Sequence, residues 1–65
     1  MKLQLNGESL EAEVRTLADL LEDQGFGGAK VATAVNGDFV PAGLRAQHLL
    51  SAGDVIEVLA PMQGG

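Results

Sequence analysis

Apolar and polar residues alternate near the start of the chain. Leu3 and Leu5 share one face, and after Asn6-Gly7 so do Leu10, Ala12 and Val14. A period of two is that of a half-buried β-strand. Asn-Gly between two such runs predicts a hairpin, because a type I′ turn needs positive φ at both central residues. The turn is Asn6-Gly7 alone or runs a residue or two longer, through Glu8. The period then changes. Leu17, Leu20 and Leu21 stand at i, i+3 and i+4, the stripe of a short amphipathic helix. Thr16 is placed as its N-cap, with Asp19 at the third helical position as a weaker stand-in for the usual Glu or Gln of a capping box. Gly25 supplies the stop, so a helix is predicted over 17–24, lying on the sheet.

Gly25-Phe26-Gly27-Gly28 reads as a flexible connector. It fails as a phosphate cradle, since it follows a helix rather than a strand and no Gly-Lys-Ser/Thr completes it. Val31 to Val35 is a β-rich run ending in a second tight turn, Asn36-Gly37. Asp38-Phe39-Val40 returns as a short strand, and Pro41, which has no N–H for a ladder, ends it. Residues 42–50, with Leu44, His48, Leu49 and Leu50, form one irregular or 3₁₀ turn. Ala52-Gly53-Asp54 then turns the chain into Val55–Leu59, the most strand-like stretch, which Pro61 closes.

The predicted order is β-β-α-β-β-β. Strands gathered around one helix indicate an α+β layer, a mixed sheet of four to five strands on one short helix. The ubiquitin-like β-grasp is the compact arrangement that fits. One domain over 1–61 and a flexible Gly-Gly tail over 62–65 are expected, without repeats or low-complexity segments.

Composition narrows the chemistry. A chain of 65 residues buries only about 60% of its unfolded surface, which leaves little room for an enclosed catalytic pocket. Cysteine is absent, so there is no disulfide, no thiolate metal site and no nucleophilic thiol. Nine acidic residues against four basic ones give a net charge of −5. Lys2, Arg15, Lys30 and Arg45 are scattered, and there is no Tyr or Trp, so nucleic-acid binding is rejected. The negative charge suits a basic partner surface and equally a well-solvated exterior. Residues 1–6 lack the apolar core of a signal peptide, and no apolar run approaches membrane-spanning length. A soluble, cytoplasmic protein with no membrane contact is expected. His48, lacking a cysteine or acid-dyad partner, reads as a packing or surface residue. Asp54, following Gly53 in a turn, is expected to hold local backbone rather than metal. No cluster has metal-ligand spacing.

That leaves the end, Met62-Gln63-Gly64-Gly65. A terminal Gly-Gly puts an α-carboxylate on a strip without side chains, able to enter a channel too narrow for other residues. A disordered end or a cloning scar would look the same, so the rest of the chain must decide. A carboxylate is a poor electrophile. ATP changes this, because attack on the α-phosphate gives an acyl-adenylate from which AMP leaves readily, and a sulfur nucleophile then yields a thiocarboxylate at Gly65. With neither a P-loop nor a cysteine, the chain would take part in such chemistry as a covalent carrier and not as a catalyst.

At several segments the chain resembles the sulfur carrier proteins of thiamine thiazole biosynthesis, the ThiS family. The segments are the Asn6-Gly7 hairpin, Thr16-Leu17-Ala18-Asp19-Leu20-Leu21, Val31 through Pro41, Leu50 through Val58, and Gly64-Gly65. The resemblance covers essentially the whole chain. Its specificity lies in the combination of Val-Asn-Gly-x-x-Val-Pro, the Gly-Asp turn and the Gly-Gly end. Family members often place Arg directly after Val-Pro; here Ala42 stands there and the nearest arginine is Arg45. Pro61-Met62-Gln63 also departs from the commoner aliphatic pairs.

The resemblance implies that an E1-like adenylyltransferase, using ATP, activates Gly65. A cysteine desulfurase system supplies sulfur as a persulfide, and the thiocarboxylate delivers it to thiazole synthase. Gly64 and Gly65 would enter partner active sites, with Met62 and Gln63 lining the approach. No cofactor is expected on the chain itself, and the free protein is expected to be a monomer. Docking would use an exposed sheet face. Alternation separates Ile56 and Val58, expected inside, from Val55 and Leu59, the docking candidates, unless both sets pack internally. Rival readings are the small subunit of molybdopterin synthase, another sulfur carrier, and a non-covalent ubiquitin-like interaction module, with an enzyme behind them. Residues added after Gly65 would abolish carrying and leave docking intact.

Overall fold

Both Asn-Gly turns form, each with the left-handed backbone the sequence demands: φ is 51° at Asn6 and 52° at Asn36, with Gly7 and Gly37 at 85° and 87°. The computed structural model describes residues 1–60. The first turn joins β1 (Lys2–Leu5) to β2 (Glu8–Glu11), in antiparallel register with Leu3 opposite Leu10. The second joins β3 (Ala32–Val35) to β4 (Asp38–Val40). Between the hairpins lies β5 (Val55–Leu59), parallel to β1 and antiparallel to β3, so the sheet order is β2-β1-β5-β3-β4. This mixed five-stranded sheet with one short helix is the predicted β-grasp.

The helix α1 (Leu17–Asp23) starts as the sequence prescribes. Thr16 Oγ1 accepts the Asp19 N–H at 3.1 Å, and Asp19 Oδ2 accepts the Thr16 N–H at 3.3 Å, a reciprocal box built with the shorter acid. It ends one residue before the predicted 24, with Gln24 as C-cap. Gly25, at φ 88°, donates to Glu22 O, and Phe26 donates to Leu21 O at 2.7 Å. That pair of bonds is a Schellman closure. It corrects the expectation of a loose connector, since Phe26 is held down and packs against the core.

Two strand boundaries move as well. β2 stops at Glu11, although Ala12 and Val14 still point inward and are buried as the chain crosses toward α1. β3 begins at Ala32, because the Val31 carbonyl is taken by the Arg45 guanidinium instead of a strand partner. Residues Ala42–Gln47 form a 3₁₀ helix, after which Leu49 bridges to Thr16 and brings the chain back alongside the start of α1.

The core lies between α1 and the inner face of the sheet. Leu17 and Leu20 meet Leu3 and Ile56 there, each of the four 1% exposed or less. Burying a side chain of this size contributes about 1.5–3 kcal/mol. Among the described residues Thr33 is the one buried polar residue, and it is satisfied: its hydroxyl donates to the Val40 carbonyl at 2.7 Å and accepts from Arg45 Nε at 3.0 Å.

Candidate functional site

The strand that leads to the C-terminal segment is the central one, and both turn asparagines fasten it. Asn6 Oδ1 accepts the Val58 N–H at 2.9 Å while Asn6 Nδ2 donates to the Val58 carbonyl at 3.2 Å. A side-chain amide thus stands in for a backbone peptide where β1 has already turned away. On the other flank, Asn36 Oδ1 accepts the Val55 N–H at 2.9 Å, and the Asn36 N–H donates to the Val55 carbonyl at 2.7 Å. Asn36 Nδ2 also donates to Asp54 Oδ1 at 3.0 Å. Asp54 in turn accepts the Ser51 N–H on Oδ2 at 2.8 Å, the local backbone role expected of it. The sequence pattern shows both asparagines as turn formers only. The missed signal is chemical: an amide carries donor and acceptor together and can match a peptide unit.

Alternation along β5 then builds two faces. Ile56 and Val58 are buried at 0% and 5%, as expected. Val55 and Leu59 point outward, with Leu59 at 70% exposure. The register extends this outer surface sideways. Leu59 lies opposite Ala32, Glu57 opposite Ala34, and Ala34 opposite Phe39. Phe39 is 69% exposed and was not among the sequence candidates. Its neighbour Val40 is buried, so alternation alone would have put Phe39 on the outside. Leu59, Val55 and Phe39, with the small Ala32 and Ala34, surround Glu57 on one largely apolar outer surface. Large apolar side chains gain nothing for the fold while they stay exposed, which makes this surface the candidate for contact with a partner.

Beside Leu59 the surface dips into a groove of about 560 Å³, lined by Val31, Ala42, Arg45, Leu59 and Ala60 among others. Arg45 crosses it, tying the 3₁₀ helix to β3 through Thr33 and the Val31 carbonyl. Its position is fixed from within, although Ala42 occupies the place directly after Pro41. His48 is half-buried, and its carbonyl accepts the Leu17 N–H at 2.9 Å, a packing position at the start of α1. The expected tail residues Met62, Gln63, Gly64 and Gly65, and the domain boundary at 61, lie outside the described residues. Among the described residues no helix is long and apolar enough to cross a membrane.

With this geometry in hand, the family model of the ThiS family matches residues 3–65. The chain belongs to the ThiS family. A crystal structure of the thiamine biosynthesis protein ThiS from Geobacter metallireducens superposes with a TM-score of 0.84 at 25% identity, covering 100% of both chains. No curated protein matches the chain significantly. ThiS membership thus agrees with the β-grasp and with the resemblance carried by the hairpin, helix and Gly-Asp segments.

Proposed function

We propose that this ThiS-family protein is a sulfur carrier of thiamine biosynthesis, not itself a catalyst, working in the cytoplasm. The observation that carries the reading is the family match over residues 3–65, on a fold whose central strand is the last before a Gly-Gly end. In this reading an E1-like adenylyltransferase joins the Gly65 carboxylate to AMP and releases pyrophosphate. The terminal sulfur of a desulfurase-derived persulfide attacks the acyl carbon, a C–S bond forms and AMP leaves. A partner thiol then takes the other persulfide sulfur as a disulfide and frees the thiocarboxylate, which thiazole synthase consumes. The chain supplies the carboxylate, the narrow Gly64-Gly65 end behind Met62 and Gln63, and the docking surface of Val55, Leu59 and Phe39. ATP and sulfur come from the partners.

The test is the intact mass of the untagged protein before and after incubation with ATP, a sulfur source and the adenylating partner. A gain equal to one oxygen replaced by sulfur, mapped to Gly65, is the expected result. An unchanged mass, with the partner active on a control carrier, would turn the reading toward a non-covalent interaction module. A cell lacking the protein should need thiazole; a need for molybdopterin products would move it to the rival pathway.

A further inference from the structure

One residue does not fit the apolar outer surface. Glu57 stands in its middle, between Val55 and Leu59 along β5, with Ala34 and then Phe39 beside it across the sheet. Its side chain is exposed and takes part in no ion pair or side-chain hydrogen bond among the described residues. Acidic residues are depleted from strands, so the fold gains nothing by placing one here. A partner that closed flush over this surface with apolar groups alone would strand a carboxylate away from water, at a large cost. A second copy whose two-fold axis passed near Glu57 would bring like carboxylates together.

The shape around Glu57 is also particular. Ala34 is the smallest residue of the row Glu57-Ala34-Phe39, and it leaves a hollow of about 110 Å³ bordered by Ala32, Phe39, Glu57 and Leu59. Two strand spacings separate Glu57 from Phe39, roughly 10 Å between backbones. A planar guanidinium fits that gap, with the Glu57 carboxylate on one side and the Phe39 ring on the other. Carboxylate and aromatic face are the two surfaces that arginine pairs with best.

We propose that Glu57, Ala34 and Phe39 form a receptor for an arginine side chain of the adenylating partner, which makes Glu57 a specificity-determining residue of the docking face. The inference rests on the docking reading above and adds a sign that simple apolar docking lacks. If the face were merely sticky, removing the charge or filling the hollow would leave binding unchanged or tighten it. With an arginine seated there, both changes weaken it.

The test measures affinity of the full chain and its variants for the purified E1-like adenylating enzyme by calorimetry, at low and moderate salt. Glu57→Gln is expected to bind about 30-fold more weakly and with a flatter salt dependence, since a closely paired charge is lost. Ala34→Leu, which fills the hollow, is expected to lose about tenfold. Thermal melts check that Ala34→Leu folds, and the exposed Glu57→Gln carries the test if it does not. Leu59→Asp serves as the reference for docking itself. If Leu59→Asp abolishes binding while Glu57→Gln binds like the parent, the arginine receptor is overturned and the docking surface stands. If Leu59→Asp binds like the parent, the docking surface is wrong and the receptor falls with it.

Discussion

The two hairpins are built from the same parts and turned to different uses. Each has an Asn-Gly turn with positive φ, each flanks β5, and each sends its asparagine amide to that strand. Their outer faces differ. On the β1–β2 side the register sets Lys2 opposite Glu11 and Gln4 opposite Ser9, an ordinary solvated surface. On the β3–β4 side the same positions hold Ala32, Ala34 and Phe39, continuous with Val55 and Leu59 of β5. The inner faces have no such freedom, because both contribute side chains to the one buried core. The exposed apolar side chains of the sheet thus gather on one half of its outer face, and the other half is polar.

The comparison breaks first at Asn6. Asn6→Ala removes two hydrogen bonds to Val58 and leaves alanine in a left-handed turn position that asparagine tolerates better, an expected loss of about 3 kcal/mol read from denaturant unfolding. Phe39→Asp comes next and separates use from stability. It should weaken binding to the adenylating enzyme about 30-fold, or 2 kcal/mol, while the melting temperature holds. Asn36→Gly keeps the turn geometry and deletes only the side-chain bonds, so about 1 kcal/mol of unfolding free energy is expected to go. Lys2→Gln on the solvated half closes the series, with stability within about 0.5 kcal/mol and unchanged loading with sulfur. A Lys2→Gln effect as large as that of Phe39→Asp would erase the distinction between the halves.

Much of this is legible in the sequence, for local reasons. Asn-Gly, Thr16 with Asp19, and the alternation of Val55–Leu59 depend on neighbours within a few residues, and each took the predicted form. Three features were not legible, because each depends on what the fold brings together. The Asn6–Val58 pairing spans 52 residues. The late start of β3 goes with Arg45 of the 3₁₀ helix reaching the Val31 carbonyl from 14 residues away. The closing of the Gly25–Gly28 segment needed Phe26 to find the core, which a glycine-rich string conceals. Of the candidate site, Val55 and Leu59 emerged from strand alternation alone. Phe39 is assignable by alternation only once Val40 is known to be buried, which a three-residue strand does not show by itself.

The place of β5 between two neighbours has a mechanical side. A partner that draws on the chain beyond Ala60 loads β5 along its own axis, while the rungs to β1 and β3 lie across that pull. They therefore resist together, in shear, rather than opening one after another. The Asn6 amide adds a fastening at Val58, close to where the load enters. An edge strand in the same role would peel, whereas a central one lets the body of the domain act as the grip and its last strand as the rod.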